Sequence, residues 1–293
     1  MKKTFSIILI LFFSTVTNSV ASEVLSKVSE KISSTLGSLI PGDGITETSV
    51  KINDTDEDEV NISILGVRDI SSTSRSNLFT QFSIHNQEIA GEERYIGNLG
   101  LGYRILNTNK TMMFGVNSFY DRDIKEDHSR ASVGLEARAS VIEFSLNHYQ
   151  KLTDHQLVNL IKEQVLSGTD YNISTQIPYM PWATFNFQGY EWEKDKAAND
   201  TEGKVYSLEM ALTPSFQLDL SQDVSSEASV DDIESVKLSF VYPPRENKKT
   251  LTDGFVSNVA FDKKNVEDQL RDKVRRNNNL TVEIQGAVIF TKK

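Results

Sequence analysis

The 293-residue chain sets 31 basic side chains against 41 acidic ones, a formal net charge of −10 that repels phosphate backbones, so nucleic acid is not expected as a partner. It has no cysteine, which excludes a disulfide scaffold, a thiolate metal site and a cysteine nucleophile. A hydrophobic fraction of 38% is low for a protein built around a large dry core.

The first residues, MKKTFSIILILFFSTVTNSVAS, combine two lysines, an apolar run from Phe5 to Phe13 and small residues at Ser19 and Ala21. That is the pattern of an export signal over 1–21, too short for a spanning helix. Residues 22–44 follow, with Val24, Val28, Ile32 and Leu36 four apart and then Pro41 and Gly42. This predicts a short amphipathic periplasmic helix, docked on a barrel base or making a dimer or peptidoglycan-side contact.

From residue 45 to residue 242 the period changes to two. Along RYIGNLGLGYRIL, Tyr95, Leu99, Leu101, Tyr103 and Ile105 share one strand face, while Arg94, Asn98, Gly100, Gly102 and Arg104 share the other. Twelve such strands are predicted, near 46–52, 60–68, 77–86, 94–106, 111–121, 129–139, 141–151, 168–177, 182–193, 204–213, 215–222 and 235–242. Several reach the roughly ten residues a tilted strand needs to cross a bilayer.

Long acidic connections, NDTDEDE at 53–59, NQEIAGEE at 86–93 and RDIKEDH at 122–128 among them, alternate with short ones such as NTNK, PYMP and TPS. Outer-membrane barrels show this alternation of outer loops and periplasmic turns. The apolar faces carry Leu78, Phe82, Ile84, Leu99, Leu101, Val133, Leu135, Ile142, Phe144, Leu146, Ile173, Ile177, Phe185, Phe187, Leu208, Met210, Leu212, Leu218, Leu220, Val236, Leu238 and Phe240. The opposite faces carry Arg94, Arg104, Arg130, Glu136, Arg138, Glu143, Glu209, Asp219 and Lys237. A lipid-facing Lys or Arg costs about 2–4 kcal/mol at the midplane, so the apolar faces are read as meeting lipid and the charged faces a wet lumen.

Aromatics predict two interfacial girdles, Tyr95, Tyr120, Tyr149, Tyr171, Tyr190, Trp192 and Tyr206 at the outer ends and Tyr103, Tyr179, Trp182 and Tyr242 at the inner ends. Together these features predict an all-β, antiparallel outer-membrane barrel of twelve strands in a Gram-negative cell, with membrane lipid and lipopolysaccharide as partners.

After the last strand, Asn265 and Asp268 predict a capped helix through Arg276 with the stripe Val266, Leu270 and Val274. LTVEIQGAVIF then reads as one strand without a partner of its own in the remaining sequence. His85, His128, His148 and His155 fall at outer ends, and His128 has Asp123 and Asp127 nearby, an acid-histidine arrangement able to activate water. No spacing marks a nucleophile elbow or a metal motif, so no enzyme and no cofactor is expected. Asp54, Asp56, Glu57, Asp58 and Glu59 form an acidic loop that either binds divalent cations shared with lipopolysaccharide or is simply hydrated.

NLGLGYRIL, MMFGVNSFYDRDI, HSRASVGLEARAS, FSLNHYQKLT, IPYMPWATF and VEDQLRDKVRRNNNLTVEI, in this order, resemble the β-domain of the inverse autotransporters, the intimin and invasin family. The resemblance implies a barrel whose N-terminus is periplasmic, delivered by periplasmic chaperones and the barrel-assembly machinery. It also implies that residues 243–293 are a linker passing back through the pore to a surface passenger. Asn117, Phe119, Asp121, Arg130, Glu136 and Arg138 would then hold the linker at Arg276, Asn277 and Asn278, or else satisfy one another across the pore. The chain stops at Lys293, with no room for an immunoglobulin-like passenger, so a host or cell-surface ligand is expected only where a passenger is supplied. The functions left open are a translocator that anchors and presents its C-terminal segment, a passive or structural barrel without passenger, and a soluble exported barrel binding a ligand inside an apolar lumen.

Overall fold

The computed structural model describes residues 42–55, 59–197, 199–227, 230–245, 247–261, 265–284 and 287–289, together with Lys27, Lys31 and Thr35. Those three residues are helical, and the Thr35 hydroxyl donates to the Lys31 carbonyl at 2.8 Å. The export signal and the apolar stripe predicted for the first helix lie outside the described residues.

Twelve strands close into one antiparallel barrel: β1 (Gly44–Asn53), β2 (Glu59–Ser72), β3 (Ser76–Ile89), β4 (Glu92–Leu106), β5 (Met112–Asp123), β6 (Ser129–Ala139), β7 (Ile142–Lys151), β10 (Gly168–Ile177), β11 (Met180–Trp192), β12 (Thr201–Ala211), β13 (Phe216–Ser225) and β14 (Ile233–Tyr242). Neighbours pair in chain order, and β1 closes on β14 with Thr46 opposite Tyr242 and Asn53 opposite Ser235. Between β7 and β10 lies a hairpin, β8 (Gln156–Val158) and β9 (Ile161–Val165). It forms a second, four-stranded sheet with β15 (Val282–Ile284) and β16 (Ala287–Ile289), in the order β16, β15, β9, β8. Among the described residues no helix is long and apolar enough to cross a membrane; strands make the crossing.

The facing follows the alternation in the sequence. Along β5, Met112, Phe114, Val116 and Tyr120 are exposed on the outer wall, while Met113, Asn117, Phe119, Asp121 and Asp123 are buried inside. Leu99, Leu101, Val133 and Leu135 are likewise bare, and Arg94, Arg104, Arg130, Glu136 and Arg138 are buried in the lumen. A ligand-binding barrel with an apolar interior has the opposite facing and does not fit.

Four expectations about the outer wall and its connections are revised. Leu212, Leu218, Val236 and Phe240 share the apolar face but are buried, because they pack with Met210, Phe216, Leu220 and Leu251, the last from the segment after β14. Of the girdle aromatics, Tyr95, Tyr103, Tyr120, Tyr171, Tyr179 and Tyr206 are exposed, but Tyr149, Trp182 and Trp192 are buried. Their strand parity puts them on the inner side, where Tyr149 and Trp192 pack ring to ring at 5.2 Å. The connection expected at 86–93 shrinks to Ala90 and Gly91, both at positive φ as a tight hairpin requires, because Ile89 and Ile96 extend the strands to pack on Val165, Leu280 and Val282. The 152–167 loop holds the β8–β9 hairpin, whose β9 supplies the partner that β15 was expected to lack.

The predicted helix over 265–276 is also replaced. Only Glu267–Arg271 turns, as a short 3₁₀ helix, and the chain then runs irregularly to Leu280, with bends at Asp272, Arg276 and Asn279 and neither helix nor strand. Lumen side chains satisfy its backbone, so a helix is not needed to do so.

Candidate functional site

The distinctive feature of this barrel is a stretch of its own chain inside it. After β14 the chain crosses the end that bears the short turns, enters the lumen at Val266 and leaves at the long-loop end, where β15 pairs with β9.

At entry, Val266 N–H donates to the Lys110 carbonyl at 2.9 Å, Lys110 Nζ meets Glu267 at 2.6 Å, and Arg271 meets Asp69 at 2.7 Å. Val266 and Leu270 pack on Leu106 and Met113. Arg104, joined to Glu136 at 2.9 Å, donates to the Leu270 carbonyl at 3.0 Å. Arg138 reaches Asp272 at 3.0 Å and the Lys273 carbonyl at 3.2 Å.

Deeper in, Lys273 pairs with Glu47 at 2.7 Å and Arg275 with Glu143 at 2.8 Å and Glu209 at 2.9 Å. The tightest cluster surrounds Asp121. One carboxylate oxygen accepts from Arg130 Nε at 2.8 Å and Arg276 at 2.6 Å, and the other accepts from Arg276 at 3.0 Å and Asn98 at 2.8 Å. Arg276 also lies 4.3 Å over the Phe119 ring, and Arg130 lies 4.3 Å over Tyr149. All of these groups are buried, where one carboxylate shared by two guanidiniums fixes position by both charge and direction. Backbone contacts complete the grip. Arg130 donates to the Asn277 carbonyl at 2.7 Å, Tyr149 OH accepts from Asn277 N–H at 2.7 Å, and Asn98 donates to the Asn278 carbonyl at 3.0 Å. Gln81 accepts from Val274 N–H at 2.8 Å; Gln87 accepts from Leu280 N–H at 3.0 Å and donates to the Leu280 carbonyl at 2.7 Å.

At the exit, Glu163 of β9 takes the fork of Arg94 at 2.7 and 2.6 Å and His128 Nε2 at 3.0 Å. Burial pushes the Glu163 carboxyl up, but Arg94 and then His128 pull it down further, to about 2. Glu283 of β15 accepts from the backbone N–H groups of Asp195 and Lys196 at 2.8 Å each.

Of the residues singled out in the sequence, Phe119, Asp121, Arg130 and Arg138 touch the lumen segment, and Arg276, Asn277 and Asn278 are its gripped part. Glu136 and Asn117 stand one step back: Glu136 orients Arg104 and Arg138, and Asn117 donates to Glu136 at 3.5 Å. Sequence reasoning did not assign the grip to Gln81, Gln87, Asn98, Tyr149 or Glu163. The inward parity of Tyr149, two residues from Asn147, is the signal that places it inside. The acid that His128 meets is Glu163, brought from far along the chain, rather than Asp123 or Asp127 beside it. In the acidic 53–59 loop, Glu59 accepts from Asn53 at 3.0 Å and Asn61 at 2.9 Å, and 56–58 lie outside the described residues.

A family profile described as the inverse autotransporter β-domain matches residues 13–278. Over 217 residues, 71% of this chain, the sequence is 25% identical to an inverse autotransporter adhesin, YeeJ, of Escherichia coli strain K12. Over 46% of the chain it is 30% identical to the invasin of Yersinia enterocolitica. The chain spans 9% and 16% of those two relatives. A solved structure from work on the in-meso crystallization of membrane proteins superposes with a TM-score of 0.63 at 17% identity, covering 82% of this chain and all of that one, a likeness of fold. The protein is an outer-membrane barrel of a Gram-negative bacterium, and the chain belongs to the inverse autotransporter β-domain family.

Proposed function

We propose that the barrel anchors its chain in the outer membrane and presents on the cell surface the residues that follow the lumen segment. The observation that carries this reading is the continuous path from Val266 at the short-turn end to β15 at the long-loop end, gripped by Asp121, Arg130, Arg138 and Tyr149 on the way. In this orientation the short turns face the periplasm, as the length asymmetry of outer-membrane barrels favours. The export signal over 1–21 delivers the chain to periplasmic chaperones and the barrel-assembly machinery, which fold the barrel around its own tail.

A chain that has passed its tail outward shows that tail to reagents in the medium. A peptide tag added after Lys293 is expected to bind antibody on intact cells. Labelling only after the outer membrane is opened would overturn the reading.

A further inference from the structure

Before it enters the lumen, the segment after β14 is strapped to the turn between β10 and β11. The Trp182 indole N–H donates to the Phe255 carbonyl at 2.9 Å, and the two rings lie 5.4 Å apart. Tyr179 N–H donates to the Ala260 carbonyl at 2.9 Å, and Ser257 N–H donates to the Tyr179 carbonyl at 2.8 Å. These bonds fix the backbone of 255–260 but leave its large apolar side chains uncovered. Phe255 is 60% exposed, Val256 64%, Val259 50% and Phe261 46%. Tyr179 beside them is 50% exposed.

Four large apolar side chains on one short loop, with Tyr179 of the neighbouring turn beside them, make a patch that water alone does not explain. Its position identifies the occupant. The β10–β11 turn ends the lipid-facing column in which Ile173 and Phe185 are exposed, and Tyr179 stands where an interfacial tyrosine belongs. The loop thus lies on the rim, held from the inner side by Trp182 and Gln176 and tied through the Tyr179 backbone to the turn that ends the surface meeting hydrocarbon. We propose that Phe255–Phe261 is an interfacial foot whose apolar side chains insert among the phospholipid headgroups of the leaflet at the short-turn end, the periplasmic one in the orientation above. The foot would hold the segment against the barrel rim just before it turns into the lumen. Insertion itself does not depend on which way the tail is exported.

The absence of native cysteine allows clean single-site labelling. Val256→Cys and Phe261→Cys, spin-labelled in the full mature chain and reconstituted into phosphatidylethanolamine and phosphatidylglycerol vesicles, are read by collision with oxygen and with a water-soluble nickel chelate. Leu135→Cys on the outer wall serves as the lipid reference and Leu160→Cys at the β8–β9 tip as the water reference. Retained heat-modifiable gel mobility shows each variant folded. The foot labels are expected to fall between the two references, with the ratio of oxygen to chelate collisions several-fold above that of Leu160 and below that of Leu135. A profile like that of Leu160 would overturn the foot, and so would labels protected from both reagents, which indicate protein contact by a second copy. A second measurement keeps cysteine out: the emission that Phe261→Trp adds to that of the parent's Trp182 and Trp192 should be quenched by brominated phospholipid, and an unquenched added component also rejects the proposal.

Discussion

Asp121 has two guanidiniums to satisfy, one from the wall and one from the lumen segment, and both are buried with it. Removing one member of such a buried set costs about 3–5 kcal/mol, because the remaining charges stay desolvated without a partner. Asp121→Asn keeps the shape but removes the charge that Arg130 and Arg276 share. It is expected to loosen the segment rather than unfold the barrel, raising amide hydrogen exchange at 276–280 by a hundredfold or more while the strand amides hold. Unchanged exchange there would reject the shared-carboxylate grip. Two glycines in the same neighbourhood explain part of the NLGLGYRIL motif of β4. A Cβ at Gly100 would overlap the Phe119 ring and one at Gly102 the Phe79 ring, so bare backbone lets both rings lie against the wall. Arg276 then stacks on Phe119 at 4.3 Å and Arg104 on Phe79 at 4.4 Å, cation on aromatic face.

The barrel strands and the lumen segment differ in how legible they are, and the reason is which medium each face meets. A barrel strand has hydrocarbon on one side along its whole length, so Leu99, Leu101, Val133 and Leu135 repeat with period two and announce it. The lumen segment meets a different neighbour at each residue. Val266 and Leu270 fit against Leu106 and Met113, whereas Val274 fits against Leu65, Val67, Phe79 and Phe119, and the helical spacing of the three is incidental. Reach settles its form. As a helix, the segment from Val266 to Thr281 would cover only about 24 Å, short of a hydrocarbon core of about 30 Å, whereas a less tightly wound path spans it. The β9–β15 pairing joins segments more than a hundred residues apart and has no local signature at all.

Glu163 makes that pairing sensitive to acid. Its carboxyl is lowered from the ordinary 4.5 to about 2 by Arg94 and His128 against the opposing effect of burial. A lowered carboxyl stabilises the docked β9 fully above about pH 4.5, and the contribution is lost as pH falls through about 2. Pepsin cleavage near 280–284, normalised to an unfolded control, is expected to be slow at pH 4.5 and to rise several-fold toward pH 2. Glu163→Gln should be cut at the fast rate at both pH values; a variant as resistant as the parent would remove Glu163 from the latch.

For the molecule as a whole, the solvent on each side of the wall decides which changes it accepts. Leu135 is 55% exposed on the outer wall, opposite Leu146 and Val116 in the neighbouring strands. A lysine there meets hydrocarbon and costs about 2–4 kcal/mol, a penalty that the inner wall does not impose. Ser132 is a poor inner control, because its hydroxyl accepts from Arg276 at 3.1 Å and a cation there would repel the lumen segment. Ser221 is the better choice, half-buried between Ser207 and Ser235 on the inner face of β12–β14. Along the same wall, toward the short-turn end, a cavity of about 330 Å³ is lined by Glu209, Gln217 and Lys248, so this side of the lumen is polar and not filled by the lumen segment. Leu135→Lys is therefore expected to reduce the heat-modifiable, folded fraction recovered from outer membranes severalfold, while Ser221→Lys assembles at close to the parent level. Equal recovery of the two variants would mean that the wall does not separate oil from water as its alternation says, and both the anchoring and the path of the tail would have to be reassigned.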